Sequence, residues 1–385
     1  MLGAVAFVEP DGLAIRTVPD GPFIRLATGG RIHSPRFSPS GQWIAFHDGD
    51  NLYVAGAGGR PPLPLPAGEC VWLPAEDVLA VATADALLFF AARNGWGVPS
   101  LIRKGAGLPV FNSEATEFVY EAEGPRKSVG PGGEPRRDGQ LWRGFYTGVA
   151  RGPALVVSKD MTDVIPFAWT RDSQSILYWE DPDFSASFAA DGLELCAVAA
   201  SGGEPRHTEV VTLIQPGLLA LSPRQNKLAL TAGYGRETWE GKRIAILDLD
   251  TMALRYLTDE SVSALAPAWS PDGRRIAFTQ APTAKIPNLG LRKIWVADAP
   301  GAGPPRQITR DERYRDELPQ WSARGTHLLF CRIDAGGRAT LWLTGAGGEN
   351  PIQVSGPLRL EYGSDDYYGY VYWHRAFDWF RGPRA

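Results

Sequence analysis

Short apolar runs separated by turn residues fill this chain, and one arrangement of them recurs. In Pro267-Ala268-Trp269-Ser270-Pro271-Asp272-Gly273 an apolar stretch ends on a bulky anchor, and Arg275-Ile276-Ala277-Phe278 resumes the apolar pattern after the turn. Pro271 presets φ, Asp272 is suited to bond its own backbone two residues on, and Gly273 accepts a positive φ, so the pattern predicts strand, tight turn, strand. Variants appear around Phe37, Trp72, Phe111, Trp169, Leu221 and Trp321, each an anchor in the same place. Successive anchors are between 35 residues apart (Phe37 to Trp72) and 58 (Phe111 to Trp169), and Trp373 follows Trp321 by 52.

A period of that length with several short strands per repeat predicts four-stranded sheets set radially about an axis. The expected fold is therefore all-β, a single β-propeller domain over residues 1–385. Residues 1–30 read as three strands (4–8, 13–18 and 23–27) of a first blade without its innermost strand, residues 31–356 as seven further blades, and 357–385 as a tail that closes the first blade. Eight blades are expected, with Tyr370-Val371-Tyr372-Trp373 as the closing segment; seven is the alternative. The stretches 78–83 and 86–92 are apolar on both alternating faces, as suits sheets sandwiched between neighbours. The repeated tryptophans should then pack between blades rather than form a stacking platform for sugars or bases.

Four interruptions break the repeat, Glu121 to Asp138, Glu180 to Gly192, Ala232 to Lys242 and Gln280 to Arg292, all between the second and third strands of consecutive blades. In a four-stranded meander these connections share one face with the links between blades, while the Ser-Pro-Asp-Gly and Gly-Gly turns occupy the other. Long loops on a rigid scaffold are where binding residues concentrate. The arginine and aromatic side chains suited to anchor a partner there are Arg126, Arg136, Phe184, Phe188, Tyr234, Arg236, Trp239 and Tyr314.

Composition narrows the partner. The 385 residues are 44% hydrophobic with a formal net charge of −4, which gives no electrostatic case for nucleic acid. No apolar run reaches the length of a membrane span. Arginine outnumbers lysine 32 to 7, but the arginines are scattered. Cys70, Cys196 and Cys331 stand in different repeats, neither a disulfide framework nor a zinc spacing, and read as buried thiols. His33, His47, His207, His327 and His374 show no His-x-x-x-His spacing, and no Gly-x-Ser-x-Gly elbow occurs. Asp181, Asp183 and Asp191 are the one acidic group worth checking for a metal; no catalytic residue, cofactor or metal is expected.

The Trp-Ser-Pro-Asp-Gly stretch, the Ile-Ala-Phe strand, the Ile-Trp-Val strand, the glycine pair and a final Ile-Thr at 308–309 together resemble the TolB-like β-propeller repeat. The resemblance is strongest for Pro267 to Thr309 and extends over nearly all of the chain. It implies the fold and a habit of binding other molecules, since TolB itself is a periplasmic propeller that binds envelope proteins. No site residue carries over, because the matching positions belong to turns and core. The expected function is thus a non-enzymatic scaffold, a monomer that binds a protein or small ligand on the face with the long loops. Two rivals are a lactonase- or lyase-like enzyme with a site at the central channel and a detached gating propeller of a prolyl oligopeptidase-like hydrolase. With no signal peptide in the sequence as written the expected location is cytoplasmic; a truncated gene start would make it extracytoplasmic.

Overall fold

The computed structural model describes residues 2–99, 101–127, 136–146, 152–182, 192–215, 217–233, 235–238, 240–284, 291–299, 303–361, 363 and 366–382. Their strands pair antiparallel in groups of four. The first group joins Ala4–Glu9, Gly12–Thr17 and Phe23–Thr28 to the carboxyl-terminal strand Phe377–Phe380. The second is Ile32–Phe37, Trp43–Asp48, Asn51–Gly56 and Leu63–Leu65, and the third Glu69–Trp72, Val78–Ala82, Ala86–Ala91 and Leu101–Lys104. Val110–Phe111, Glu117–Lys127, Arg136–Phe145 and Ala154–Lys159 make the fourth; Asp163–Trp169, Ser175–Asp181, Leu193–Ala199 and Arg206–Thr212 the fifth. The sixth is Leu219–Leu221, Lys227–Ala232, Arg243–Asp248 and Leu254–Tyr256, bridged to the fifth where Thr212 meets Ala232. Ser263–Trp269, Arg275–Ala281, Lys293–Asp298 and Arg306–Gln307 form the seventh, and Arg315–Trp321, His327–Ile333, Ala339–Gly345 and Ile352–Gln353 the eighth.

The cores lie between these groups, which is what makes them blades. One apolar cluster joins the first and second (Val8, Ile15, Ile44, Phe46), the next the second and third (Val54, Leu79), and so on in order to the seventh and eighth (Ile294, Trp321, Phe330). The circuit closes where Val5 and Phe7 of the first blade pack with Leu329, Leu341 and Leu343 of the eighth. The anchors sit in these seams: Trp169, Trp269 and Trp321 are 3%, 7% and 0% exposed. Each indole N–H donates to the innermost strand of the blade before it, Trp169 to Val110 O, Trp269 to Ala220 O and Trp321 to Ala268 O, at 2.8–3.0 Å. A buried indole needs such a partner, and here the partner sets the spacing of neighbouring blades. The turn behaves as its residues require: Asp272 Oδ1 accepts the Arg274 N–H at 3.0 Å, and Gly273 adopts φ +70°.

Three features differ from the sequence reading. The closing strand is Phe377–Phe380 rather than Tyr370 to Trp373, with Val5 opposite Trp379 and Phe7 opposite Phe377. Alternation decides it, because Phe377 and Trp379 are buried on one face while Asp378 Oδ2 accepts the Phe37 N–H at 2.8 Å. The close approach also demands glycine at position 3, where a Cβ would stand 1.8 Å from the Phe380 carbonyl oxygen. Tyr370 and Val371, by contrast, are consecutive and both buried, in two different cores, so that stretch passes between cores instead of along one sheet. Second, Glu121 to Asp138 is not simply a loop. Strands Glu117–Lys127 and Arg136–Phe145 stay paired as far as Lys127 opposite Arg136, with an irregularity between Glu123 and Arg126.

Third, the innermost strands of the second, seventh and eighth blades carry a bulge the sequence did not announce. Ser34, Ala266 and Leu318, each followed by proline, have φ of +53°, +57° and +51°. Left-handed non-glycine residues are strained by about 1–3 kcal/mol, so the surroundings must hold them. The previous blade does this for two: buried Thr231 Oγ1 accepts the Ala266 N–H at 3.2 Å, and Thr279 Oγ1 the Leu318 N–H at 3.1 Å.

Candidate functional site

The face that carries the links between blades is crossed by the chain's own carboxyl-terminal segment. On one side the Tyr368 carbonyl accepts the Thr238 N–H at 2.9 Å, in the loop between the second and third strands of the sixth blade. On the other, Arg36 of the second blade donates to the His374 carbonyl at 2.6 Å. The second and sixth blades are four apart in a ring of eight, so residues 368–374 form a strap over the mouth of the channel. Within it Tyr370, Val371 and Trp373 are buried, at 6%, 3% and 4% exposure.

A buried ionic network fastens the strap to the seventh and eighth blades. Arg292, fully buried, donates to Glu317 Oε1 at 2.7 Å, to Thr238 Oγ1 at 2.8 Å and to the Gly369 carbonyl at 3.2 Å. Arg315 Nε lies 3.2 Å from the same Glu317 oxygen, and the Trp373 indole donates to Glu317 Oε2 at 3.4 Å. Beside them Arg332 grips buried Asp316 with two parallel hydrogen bonds of 2.7 and 3.0 Å. Such charges persist in an interior only when paired and hydrogen-bonded, and here Arg292 and Glu317 also fix Gly369 and Trp373 of the strap. Lys242, fully buried close by, donates to the Gly235 and Glu240 carbonyls, and burial lowers its ammonium to about 8.

Of the eight residues expected to anchor a partner, the structure describes the side chains of two, and both are engaged within the chain. Arg236 donates to the Tyr368 hydroxyl at 3.1 Å with its guanidinium carbon 5.1 Å from the ring centre. Tyr314 lies under Arg332 and Arg313, 4.9 and 5.3 Å from their guanidinium carbons, and its carbonyl accepts from Lys293. Arg126 and Arg136 fall at the end of the long hairpin, the first opposite Arg137 and the second opposite Lys127. Phe184, Phe188, Tyr234 and Trp239 lie outside the described residues, as do Asp183 and Asp191. Sequence reasoning missed Tyr368 and Leu291, which are 38% and 47% exposed and adjoin the bonded pair Gly369 and Arg292. Their signal was a large apolar or aromatic residue beside a charged or flexible one, too common to stand out.

At the second-blade end the strap leaves a shallow cleft lined by Ile32, His33, Arg359, Glu361, Tyr372 and Arg375. His33 Nε2 donates to the Gly49 carbonyl at 3.1 Å, which leaves Nδ1 of the neutral ring to accept from the Ser34 hydroxyl at 3.0 Å. Burial, then Arg375 and His47, lowers the His33 pKa and keeps that ring neutral. His47 stacks on it, ring centres 5.1 Å apart. His374 is held to about 3 by burial, Arg36, Arg375 and His33.

An all-β ring of four-stranded blades, strapped across one mouth by its own carboxyl terminus, defines a β-propeller. In part it is similar to TolB: a segment of 73 residues is 37% identical to the Tol-Pal system protein TolB of Roseobacter denitrificans, and the TolB of Cereibacter sphaeroides matches at 34% over the same length. That segment is 19% of this chain and only 15% of each relative. No family model matches the chain. Among solved structures, a eukaryotic initiation factor superposes with a TM-score of 0.57 at 12% identity, over 92% of this chain and 86% of that one. A prolyl endopeptidase gives 0.53 at 12%, over 91% of this chain and 48% of the other. At such identity both show the fold alone. Among the described residues no helix is long and apolar enough to cross a membrane.

Proposed function

We propose that this propeller is a non-catalytic binding scaffold, and that a protein partner docks on the sector where the strap meets the sixth and seventh blades. The observation that carries the reading is the exposure of Tyr368 and Leu291, each next in the chain to a residue bonded in the buried Arg292–Glu317 network (Gly369 and Arg292), with Arg236 lying on the Tyr368 ring. Aromatic, aliphatic and arginine side chains on a support that cannot yield are what interface anchors require, because little side-chain entropy remains to be lost on binding. The TolB relatives support a binding role, since their name places them in a Tol-Pal system. The test is capture on the immobilised full chain from the source cell. Parent protein should retain a partner that Leu291→Glu and Tyr368→Ala lose, with melting unchanged because both side chains are on the surface. Equal capture by both variants, or none by the parent, rejects the reading. Fractionation of the cell carrying the captured partner separates a cytoplasmic from an extracytoplasmic location.

A second reading has one specific observation in its favour, the Ser34 hydroxyl donating to a neutral, oriented His33 in the cleft beside the strap. A serine activated by a base in this way is the elementary unit of nucleophilic catalysis. Labelling of Ser34 by a fluorophosphonate would favour that enzyme-like alternative. The gating-propeller alternative rests on fold similarity to a prolyl endopeptidase alone.

A further inference from the structure

We propose that the outer part of the fifth blade binds a zinc ion through Cys196, His207, Glu180 and Glu194. Pairing of three strands puts Tyr178, Cys196 and His207 in one cross-strand row, and Glu180 opposite Glu194 in the next row on the same face. One ligand atom from each of Glu180, Cys196 and His207 lies within 4.8 Å of the others. His207 Nδ1 is 3.5 Å from Cys196 Sγ and 3.4 Å from Glu194 Oε2. A tetrahedral zinc, with bonds of about 2.3 Å to sulfur and about 2.0–2.2 Å to nitrogen and oxygen, separates its S and N ligands by about 3.5 Å and its N and O ligands by about 3.4 Å. The Cys196–His207 separation is therefore already an edge of that tetrahedron, and Glu194, 3.4 Å from His207 but outside the 4.8 Å group, completes it by turning its carboxylate inward.

Both carboxylates are held by their other contacts in the way ligands of a built site are held. Glu180 Oε1 accepts the Tyr178 hydroxyl at 2.8 Å and lies 3.0 Å from the Lys159 ammonium of the fourth blade. Glu194 Oε1 accepts the Glu209 N–H at 2.9 Å, and Glu209 has φ +56° in the irregular stretch opposite Glu194 to Cys196. That strained residue is the means by which the fourth strand turns a backbone donor toward the cluster. Charge also closes: a thiolate, two carboxylates and the Lys159 ammonium sum to −2, which one divalent ion neutralises. A donor set of sulfur, imidazole and carboxylate selects zinc over calcium or magnesium, which take oxygen ligands. The His207 side chain is 48% exposed, so an ion reaches the buried Cys196 from the rim. On binding, the thiol proton passes to solvent as the thiolate–zinc bond forms, with no change of oxidation state. The ion would tie the outer strand of the fifth blade to its own middle strands and, through Lys159, to the fourth blade.

The experiment uses the full chain, treated with chelator, incubated with zinc chloride and desalted, with bound zinc measured by atomic emission and cobalt(II) substituted in parallel. One zinc per chain is expected, with a thiolate-to-cobalt charge-transfer band. Both should be lost, or weakened at least about tenfold, in Cys196→Ser and His207→Ala. Since Cys196 is buried and its serine variant can misfold, the exposed His207→Ala keeps the result readable. Failure to retain zinc, a cobalt spectrum without thiolate bands, or full retention in His207→Ala would each overturn the proposal. The contacts would then be a thiol–imidazole hydrogen bond and an ion pair only.

Discussion

Glu317→Ala should loosen the strap and destabilise the whole ring. The Glu317 carboxylate, 4% exposed, faces Arg292 at 0% exposure across 2.7 Å and also receives Arg315 and the Trp373 indole. At an effective dielectric constant near 20, unit charges about 4 Å apart attract by about 4 kcal/mol. Removing one partner of a buried pair costs about 3–5 kcal/mol, because the other charge stays desolvated. Unfolding entropy of about 2.1 cal/mol/K per residue gives about 0.8 kcal/mol/K over the 385 residues, so the melting temperature should fall by about 4–6 °C. Differential scanning calorimetry on the full chain reads this directly. Limited chymotrypsin digestion reads the location, since cleavage at Tyr370, Tyr372 and Trp373 should accelerate before global unfolding. The double variant Arg292→Met/Glu317→Leu removes both charges of the 2.7 Å pair while Arg315 keeps its own, and should regain part of the loss. A Glu317→Ala protein melting within about 1 °C of the parent, or a double variant no better than the single, would refute the argument that this pair fastens the strap.

Two further outcomes are expected. Trp379→Ala deletes a side chain 4% exposed that donates to the Leu2 carbonyl at 3.0 Å, so it should cost about 3–5 kcal/mol in urea unfolding, as large-to-small changes in cores do, while the same change at exposed Tyr368 should be nearly silent. His374, held to about 3 among Arg36, Arg375 and His33, stays neutral when folded and takes a proton when unfolded, so stability is full above pH 6.5 and falls as pH drops toward 3; His374→Gln should remove up to about 1.4 kcal/mol per pH unit of that slope, and an unchanged slope would show the ring is not shielded.

What was legible in the sequence was what is decided locally. The Ser-Pro-Asp-Gly turn declares itself because its bonds run two to five residues, from Asp272 Oδ1 to the Arg274 N–H and from Ser270 Oγ to the Arg275 N–H. The tryptophan seams were legible because their period is that of the blade. The closing strand was not: both Tyr370 to Trp373 and Phe377 to Phe380 are rich in aromatic residues and at suitable distance. The choice rests on a glycine at position 3 and an aspartate at 378 meeting groups hundreds of residues away. The sequence from Glu121 to Asp138 reads as a loop because charged, glycine and proline residues replace the apolar alternation there, although the hairpin stays paired to Lys127 opposite Arg136. Arg236 was identified, but its partner is Tyr368, 132 residues on. Cys196 and His207 are only eleven residues apart, yet a cross-strand pair shows no motif unless the register is known.

The strap and the closing strand act in series, and that constrains how a partner can be used. Residues 368–374 lead into Trp373–Ala376 and then into Phe377–Phe380, so the first blade is complete only while the strap is seated. Release of the Arg292–Glu317 anchor frees the segment that must stay in register with Ala4 to Phe7. Opening at the seventh blade therefore weakens closure at the first, two blades away, through chain connectivity and without any relay of side-chain contacts. A ligand that binds Tyr368 in its seated position stabilises both by RT ln(1 + [L]/Kd), about 2.7 kcal/mol at a hundredfold excess over Kd. Because Arg292 holds Gly369, the residue after Tyr368, the proposed docking sector and the lock on the ring are one structure, and occupancy of the first should be measurable as slower chymotryptic cleavage of the second.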